Sequence, residues 1–167
     1  YSSKMSAEEI SEFYKEYYEK FGMPLQKEWK PFPKIKEAKK KLKIVYVSPD
    51  FKKHVCNQHL SPIFSNHNHQ KFEIYAFAEL TKEDHVTKQY QSYVDHWIPT
   101  QGLTDQEMVE KIRDLEIDVL VDLAGHTNGN RLGVFARKPA PVSITWLGYG
   151  YTIGLTAIDY FLTDKVT

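Results

Sequence analysis

Asp50 and His54 stand four residues apart in SPDFKKHVCNQHL, directly behind an apolar run. On a helical turn the two would share a face, and a carboxylate beside an imidazole can orient the ring or raise its basicity for proton transfer. A capping Asp beside a partly exposed His has the same spacing. A second stretch, AGHTNGNR (Ala124 to Arg131), also follows an apolar run. There Gly125 frees the backbone, Thr127 or Asn128 can cap a following helix, and Arg131 falls within its first turn. A loop that opens a helix presents unpaired amide N–H groups to an anion or a sugar hydroxyl, and an ordinary strand-to-helix turn has a similar composition.

The third stretch is WLGYGYTIGL (Trp146 to Leu155), with Gly148, Gly150 and Gly154 behind the β-rich run VSITWL. Its G-x-G-x-x-x-G spacing is one residue too long for the dinucleotide fingerprint, and no good helix follows it. No G-x-S-x-G, G-x-x-x-x-G-K-[ST] or D-x-D is present, which removes the usual nucleophile elbow, phosphate loop and metal-bound nucleotide-sugar signatures. His67 and His69 in SNHNHQ have a spacing found in metal sites. Without further ligands nearby they read as a polar surface turn, and no metal is expected.

These stretches need a scaffold, and the patterning supplies one. LKIVYVS (Leu42 to Ser48) is short, β-branched and nearly continuously apolar, as a strand buried on both faces should be. Further strands are expected at KFEIYAFA (Lys71 to Ala78), IDVLVDL (Ile117 to Leu123), VSITWL (Val142 to Leu147) and IDYFLTD (Ile158 to Asp164). Helices are expected at Gln58 to Ser65, around Val86, Tyr90, Tyr93 and Val94 with Asp84 as cap, and along LTDQEMVEKIRDL. In the last of these Thr104 and Glu107 form a capping box, Leu103 and Met108 a hydrophobic staple, and Met108, Ile112 and Leu115 share a face. Strand alternating with helix calls for a parallel, doubly wound α/β sheet, whose ligands sit at the carboxyl ends of the strands. All three stretches follow expected strands.

Upstream, SAEEISEFYKEYYEKF (Ser6 to Phe21) sets Ile10, Phe13, Tyr14, Tyr17, Tyr18 and Phe21 along one stripe. Ser6 is its expected N-cap, with Glu9 three residues on, and Gly22 and Pro24 are its expected stop. Met23 to Lys41 shows no periodicity and reads as a connector. The basic run KIKEAKKKLK (Lys34 to Lys43) reads as a solvated linker.

The 167 residues, 41% of them apolar, suit one soluble globular domain. Lysines and arginines number 22 against 22 acidic residues, so no global field draws nucleic acid or an anionic membrane, and neither is expected as a partner. A single cysteine, Cys56, excludes an intrachain disulfide and fits a reducing compartment, with cytoplasm as the default. The first residue is Tyr1 rather than Met, so the natural N-terminus is expected to lie upstream.

Taken in order, IVYVSPDFKKH, then IDVLVDLAGHTNGNRLGVFARKPAPVSITWLGY, then IDYFLTD resembles the catalytic region of the O-GlcNAc transferase and SPINDLY family of protein O-glycosyltransferases, glycosyltransferase family 41. The similarity runs from about Leu42 to Asp164. The resemblance implies a GT-B enzyme of two Rossmann-like domains, of which residues 42–167 are the N-terminal one. Residues 1–41 would then be a helix and linker joining upstream tetratricopeptide repeats, and a C-terminal domain of the same protein would hold most of the nucleotide. It implies inverting transfer of a sugar from a nucleotide diphosphate, UDP-GlcNAc first among the candidates, to Ser or Thr of protein acceptors, with no cofactor. Carried over by position, Asp50 and His54 match the family's base or donor-contacting pair. His126, Thr127 and Arg131 match its GHT-x-x-x-R loop, and Leu147, Gly148 and Gly150 match its sugar-facing LGYP segment. Two other readings share the architecture: a Rossmann-like interaction module without catalysis, and half of a nucleotide-sugar epimerase.

One departure stands out. Where the family reads LGYPGTTG or LGYPGTSG, this chain reads LGYGYTIG, so Gly150 replaces a proline and Tyr151 a glycine. Proline fixes φ and stiffens the wall beside the sugar, whereas glycine relaxes it and Tyr151 adds bulk. The 167 residues alone are expected neither to bind donor tightly nor to transfer sugar. In the full protein, Gly150→Pro with Tyr151→Gly should move donor selectivity toward that of the family in competition assays between sugar nucleotides. Unchanged selectivity would reduce the segment to a turn.

Overall fold

The computed structural model describes residues 5–32, 41–148 and 152–163, which leaves out Tyr149, Gly150, Tyr151, Asp164 and most of the Lys34–Lys43 run. Among the described residues six strands form one sheet: β1 (Leu42–Ser48), β2 (Phe72–Ala78), β3 (His96–Pro99), β4 (Val119–Asp122), β5 (Val142–Thr145) and β6 (Tyr160–Phe161). Their order is β3-β2-β1-β4-β5-β6, and every neighbouring pair is parallel. This is the doubly wound order whose direction reverses between β1 and β4, opening a crevice there.

Alternation along β1 divides the core in two. Val45 and Val47 point into one cluster with Tyr75, Phe77 and Leu120, covered by Met108, Val109 and Ile112 of α4 (Asp105–Asp114) and by Val134 and Phe135 of α5 (Leu132–Ala136). Tyr46 points the other way, with Ile74, Ala76 and Val121, under Leu60 and Phe64 of α2 (Asn57–Ser65) and Tyr90 of α3 (His85–Tyr93). The helices of the two halves thus lie on opposite faces, as burial of both sheet surfaces requires. Leu42 at the start of β1 is exposed, so only the carboxyl half of that strand is fully enclosed.

The caps expected from the sequence form. Thr104 Oγ1 accepts from the Glu107 amide at 3.2 Å while Glu107 Oε2 accepts from the Thr104 amide at 2.7 Å, and Ser6 and Glu9 make the same exchange. Asp84 caps α3 through the amides of Val86 and Thr87. Strand β3 is one element for which the pattern assigned no range. It is a four-residue edge strand with no fully buried residue, so it shows no apolar alternation.

The N-terminal segment differs from expectation. Helix α1 (Ala7–Tyr17) does not stop at Gly22. It widens into a π turn over Tyr18–Gly22 and continues as a 3₁₀ helix over Met23–Glu28, with Pro24 in the first turn of that helix. Nor is the described start of the connector loose. Glu28 Oε2 accepts from Arg137 Nε at 2.8 Å, and Trp29 Nε1 donates to the Ala136 carbonyl at 2.8 Å, tying this segment to α5. Of the expected stripe, Tyr14 is buried, whereas Phe13 and Phe21 are exposed.

Among the described residues no helix is long and apolar enough to cross a membrane. Ile112→Ala, which opens a cavity in a fully buried site, should cost about 2–5 kcal/mol in chemical denaturation. Thr104→Ala, which removes only a cap, should cost about 1 kcal/mol.

Candidate functional site

Three loops leave the carboxyl ends of β1, β4 and β5, and their glycines show how closely they meet. A Cβ on Gly129 would lie 2.9 Å from Pro49 Cβ, so the loop after β4 rests on the loop after β1. A Cβ on Gly148 would lie 2.6 Å from the Ala124 carbonyl carbon and 2.7 Å from the Gly125 nitrogen. The turn after β5 therefore lies backbone to backbone on the AGHT loop, and its φ of +56° adds a second reason for glycine. Leu147 before it also has a positive φ, +60°, a conformation that costs a side-chain-bearing residue about 1–2 kcal/mol. Packing of Leu147 beside the α2/α3 cluster helps to hold that conformation.

The β1 loop is not helical, yet it brings Asp50 and His54 together, with Asp50 Oδ2 3.9 Å from His54 Nε2. The Asp50 amide donates to Ser48 Oγ at 2.9 Å, and the Cys56 amide reaches His54 Nδ1 at 3.4 Å. The loop is anchored from outside by Asp84, whose Oδ2 accepts from the Lys53 amide at 2.8 Å. That amide, with those of Thr87 and Val86, holds the Asp84 carboxyl below its usual range. Both members of the pair keep exposed surface, His54 the more.

A residue that the sequence reading passed over organises the β4 loop. Asp122, buried at the end of β4, accepts from the Ala124 amide at 3.1 Å, the Gly125 amide at 3.0 Å and the Thr145 hydroxyl at 2.8 Å. Burial pushes its carboxyl up, against the pull of these donors. The available signal was an acid closing an apolar strand. Within the loop, Thr127 does not cap α5. Its hydroxyl turns back to donate to the Ala124 carbonyl at 2.7 Å. Arg131 is itself the cap residue, and Asn130 Oδ1 accepts from the Leu132 amide at 3.2 Å. With only five residues, α5 offers little of the helix-terminus field expected from the sequence.

His126 and Arg131 have different surroundings. His126 Nε2 lies 2.9 Å from the Ile153 carbonyl, and the ring packs against Tyr17 at 4.7 Å and Tyr14 at 5.8 Å between centroids. Arg131 sits in a clamp: Nε and Nη2 donate to Glu79 Oε2 at 2.9 and 2.7 Å, Nη1 to Asp105 Oδ1 at 3.2 Å and Nη2 to the Thr100 carbonyl at 3.3 Å. It ties the ends of β2 and β3 to the start of α4, and its guanidinium is largely enclosed. Asp50, His54, His126, Thr127, Leu147 and Gly148 thus lie on loops that meet at one end of the sheet, Arg131 braces them from the side, and Gly150 lies outside the described residues. A cleft of about 360 Å³ runs along the β5–β6 side of this end, lined by Thr145, Thr152, Ile153, Asp159 and Tyr160 among others. Asp50 and His54 stand outside its lining.

His67 and His69 play no part here. His69 Nδ1 lies 3.0 Å from Asp95 Oδ2, and His67 packs its ring on Tyr46 and Phe64 rather than forming a purely polar turn. Among the described residues, no three His, Cys, Asp or Glu side chains are placed to hold a metal ion.

The family model described as Glycosyl transferase family 41 matches residues 17–167. The chain belongs to this family. Among the relatives of this family-41 chain, the probable UDP-N-acetylglucosamine–peptide N-acetylglucosaminyltransferase SPINDLY of Arabidopsis thaliana is 31% identical over 146 residues, 85% of this chain and 16% of that protein. The UDP-N-acetylglucosamine–peptide N-acetylglucosaminyltransferase of Caenorhabditis elegans is 33% identical over 133 residues, 76% of this chain and 11% of that protein. In structure, the chain is similar to a mutant O-GlcNAc transferase of Thermobaculum terrenum with a TM-score of 0.89 and 30% identity, over 98% of this chain and 31% of that one. The parallel sheet and this match together fit the Rossmann-like half of a GT-B glycosyltransferase. The chain spans less than a fifth of the length of the curated relatives it matches.

Gly148→Ala should cost more than 2 kcal/mol, since strain and a backbone clash add. Gly102→Ala, at a φ of +85° but with nothing within 4 Å, should cost about 1 kcal/mol. Thermal or urea unfolding of the two variants checks the difference.

Proposed function

We propose that this chain is the N-terminal catalytic part of a protein O-glycosyltransferase that moves a sugar from a nucleotide diphosphate, UDP-GlcNAc first among the candidates, to Ser or Thr hydroxyls. The observation that carries the reading is the placement of the Asp50–His54 pair and the His126–Thr127 loop. They follow β1 and β4, the two strands that flank the reversal in sheet order, where open α/β sheets bind ligands.

The chemistry is a single displacement. The acceptor hydroxyl oxygen attacks the anomeric carbon, the bond from that carbon to the diphosphate oxygen breaks, and the diphosphate leaves with the electron pair. Attack from the opposite face inverts the configuration. A base must take the hydroxyl proton as the new bond forms, and Asp50 with His54 supplies a carboxylate and an imidazole within reach of each other. The AGHT loop and the turn at Leu147–Gly148 form the wall beside the sugar. The charge on the leaving diphosphate falls to a C-terminal domain of the same protein. Upstream repeats and a cytoplasmic setting complete the proposal, and protein chains are its acceptors.

The test uses the full-length protein and mass spectrometry of an acceptor. His54→Ala and Asp50→Asn should each lower turnover by about 10²–10⁴-fold, the usual contribution of a general base. Undiminished turnover in both variants would overturn the assignment.

A further inference from the structure

His126 is held from two sides by parts of the chain distant in sequence. On one side its Nε2 lies 2.9 Å from the Ile153 carbonyl. A carbonyl only accepts, so Nε2 carries the proton. A neutral imidazole then has a bare lone pair on Nδ1, and among the described residues no hydrogen bond occupies it. On the other side Tyr17 meets the ring edge to face at 4.7 Å and 82°.

The two supports are themselves pressed together. Gly154 has a φ of +72°, and a Cβ there would lie 3.0 Å from the Tyr14 carbonyl oxygen and 3.0 Å from Tyr14 Cδ1. One on Gly22 would lie 2.8 Å from Leu155 Cδ2. The positive φ favours glycine at 154, and contacts this close on both strips of chain show that the segment carrying the Ile153 carbonyl is seated on α1 and its π turn. The family model begins at residue 17, and most of α1 lies outside it.

We infer that α1 belongs to the donor-binding apparatus: Tyr17 and the Ile153 carbonyl fix His126 with its proton on Nε2, so that Nδ1 accepts a hydrogen bond from a hydroxyl of the sugar nucleotide. The inference rests on the transferase reading above. Tyr17 is a positioning residue in this scheme, since it acts through His126. Loss of one such neutral hydrogen bond weakens ligand binding by about three- to tenfold.

Two measurements test it. In ¹⁵N spectra of the full-length protein labelled at histidine, near neutral pH, His126 should show a protonated, pyrrole-like Nε2 and an unprotonated, pyridine-like Nδ1. The reverse assignment overturns the proposal. In steady-state kinetics with UDP-GlcNAc, Tyr17→Leu should raise the donor KM about three- to tenfold with kcat and acceptor KM nearly unchanged, and Tyr17→Phe, which keeps the ring, should behave as wild type. His126→Gln, whose amide can still reach Ile153 but which lacks Nδ1, should match Tyr17→Leu. A folded Tyr17→Leu protein, judged by its melting curve, with the wild-type donor KM would also overturn it. If the wild type transfers no sugar, the transferase reading fails by itself, because the histidine spectrum decides the tautomer without any donor.

Discussion

The carboxylate of Asp122 is the point on which the site depends. It is enclosed at the end of β4, and it gathers the amides of Ala124 and Gly125 and the Thr145 hydroxyl from β5. A buried carboxyl is tolerated only when such donors surround it. Here they belong to the loop that must be shaped and to the next strand over. The same group that turns the chain after β4 therefore also fixes the end of β5, from which the Leu147–Gly148 turn departs. Everything at this end of the sheet is built outward from that arrangement.

Around it the loops are fixed by close backbone approach more than by side-chain contacts. Gly129 against Pro49 and Gly148 against Ala124 bring three loops within van der Waals distance. Arg131 adds a lateral brace by joining Glu79, Thr100 and Asp105. Loops packed this way are stiff, and rigid placement of donors is the condition under which a polar site favours a transition state over water. The pair Asp50 and His54 is anchored differently, by short hydrogen bonds in its own loop, by the reach of Asp84 to the Lys53 amide and by the Phe51 ring, which is buried against Phe64, Tyr90 and Trp97.

Much of this was legible in the sequence. Strands β1, β2, β4 and β5 and helices α2, α3 and α4 announce themselves through apolar periodicity and capping residues, because each buries a face and each must end. Strand β3 did not, since an edge strand with half-exposed residues has no face to display. The placement of Asp50, His54, His126 and Gly148 on loops that meet follows from the rule that loops at strand carboxyl ends converge. What Arg131 and Asp122 do could not be read in this way. Glu79 lies 52 residues from Arg131 and Thr145 lies 23 from Asp122 along the chain, and ion pairs and buried hydrogen bonds leave no local periodicity. The continuation of α1 past Gly22 was hidden for a related reason: glycine and proline usually end a helix, but here packing against Leu155 and α5 outweighs their intrinsic preference.

The π turn at Tyr18–Gly22 makes this junction a counting device. Such a turn holds one residue more than the α-helical ladder would, and each residue of an α-helix turns the chain by about 100°. Removing a single residue from the turn would let α1 run on as a regular helix, rotating everything beyond it by roughly that angle. Glu28 would swing away from Arg137, Trp29 from the Ala136 carbonyl, and Gly22 from Leu155. A substitution along this stretch disturbs the contacts of one position, whereas a change in its length shifts all three of these contacts at once.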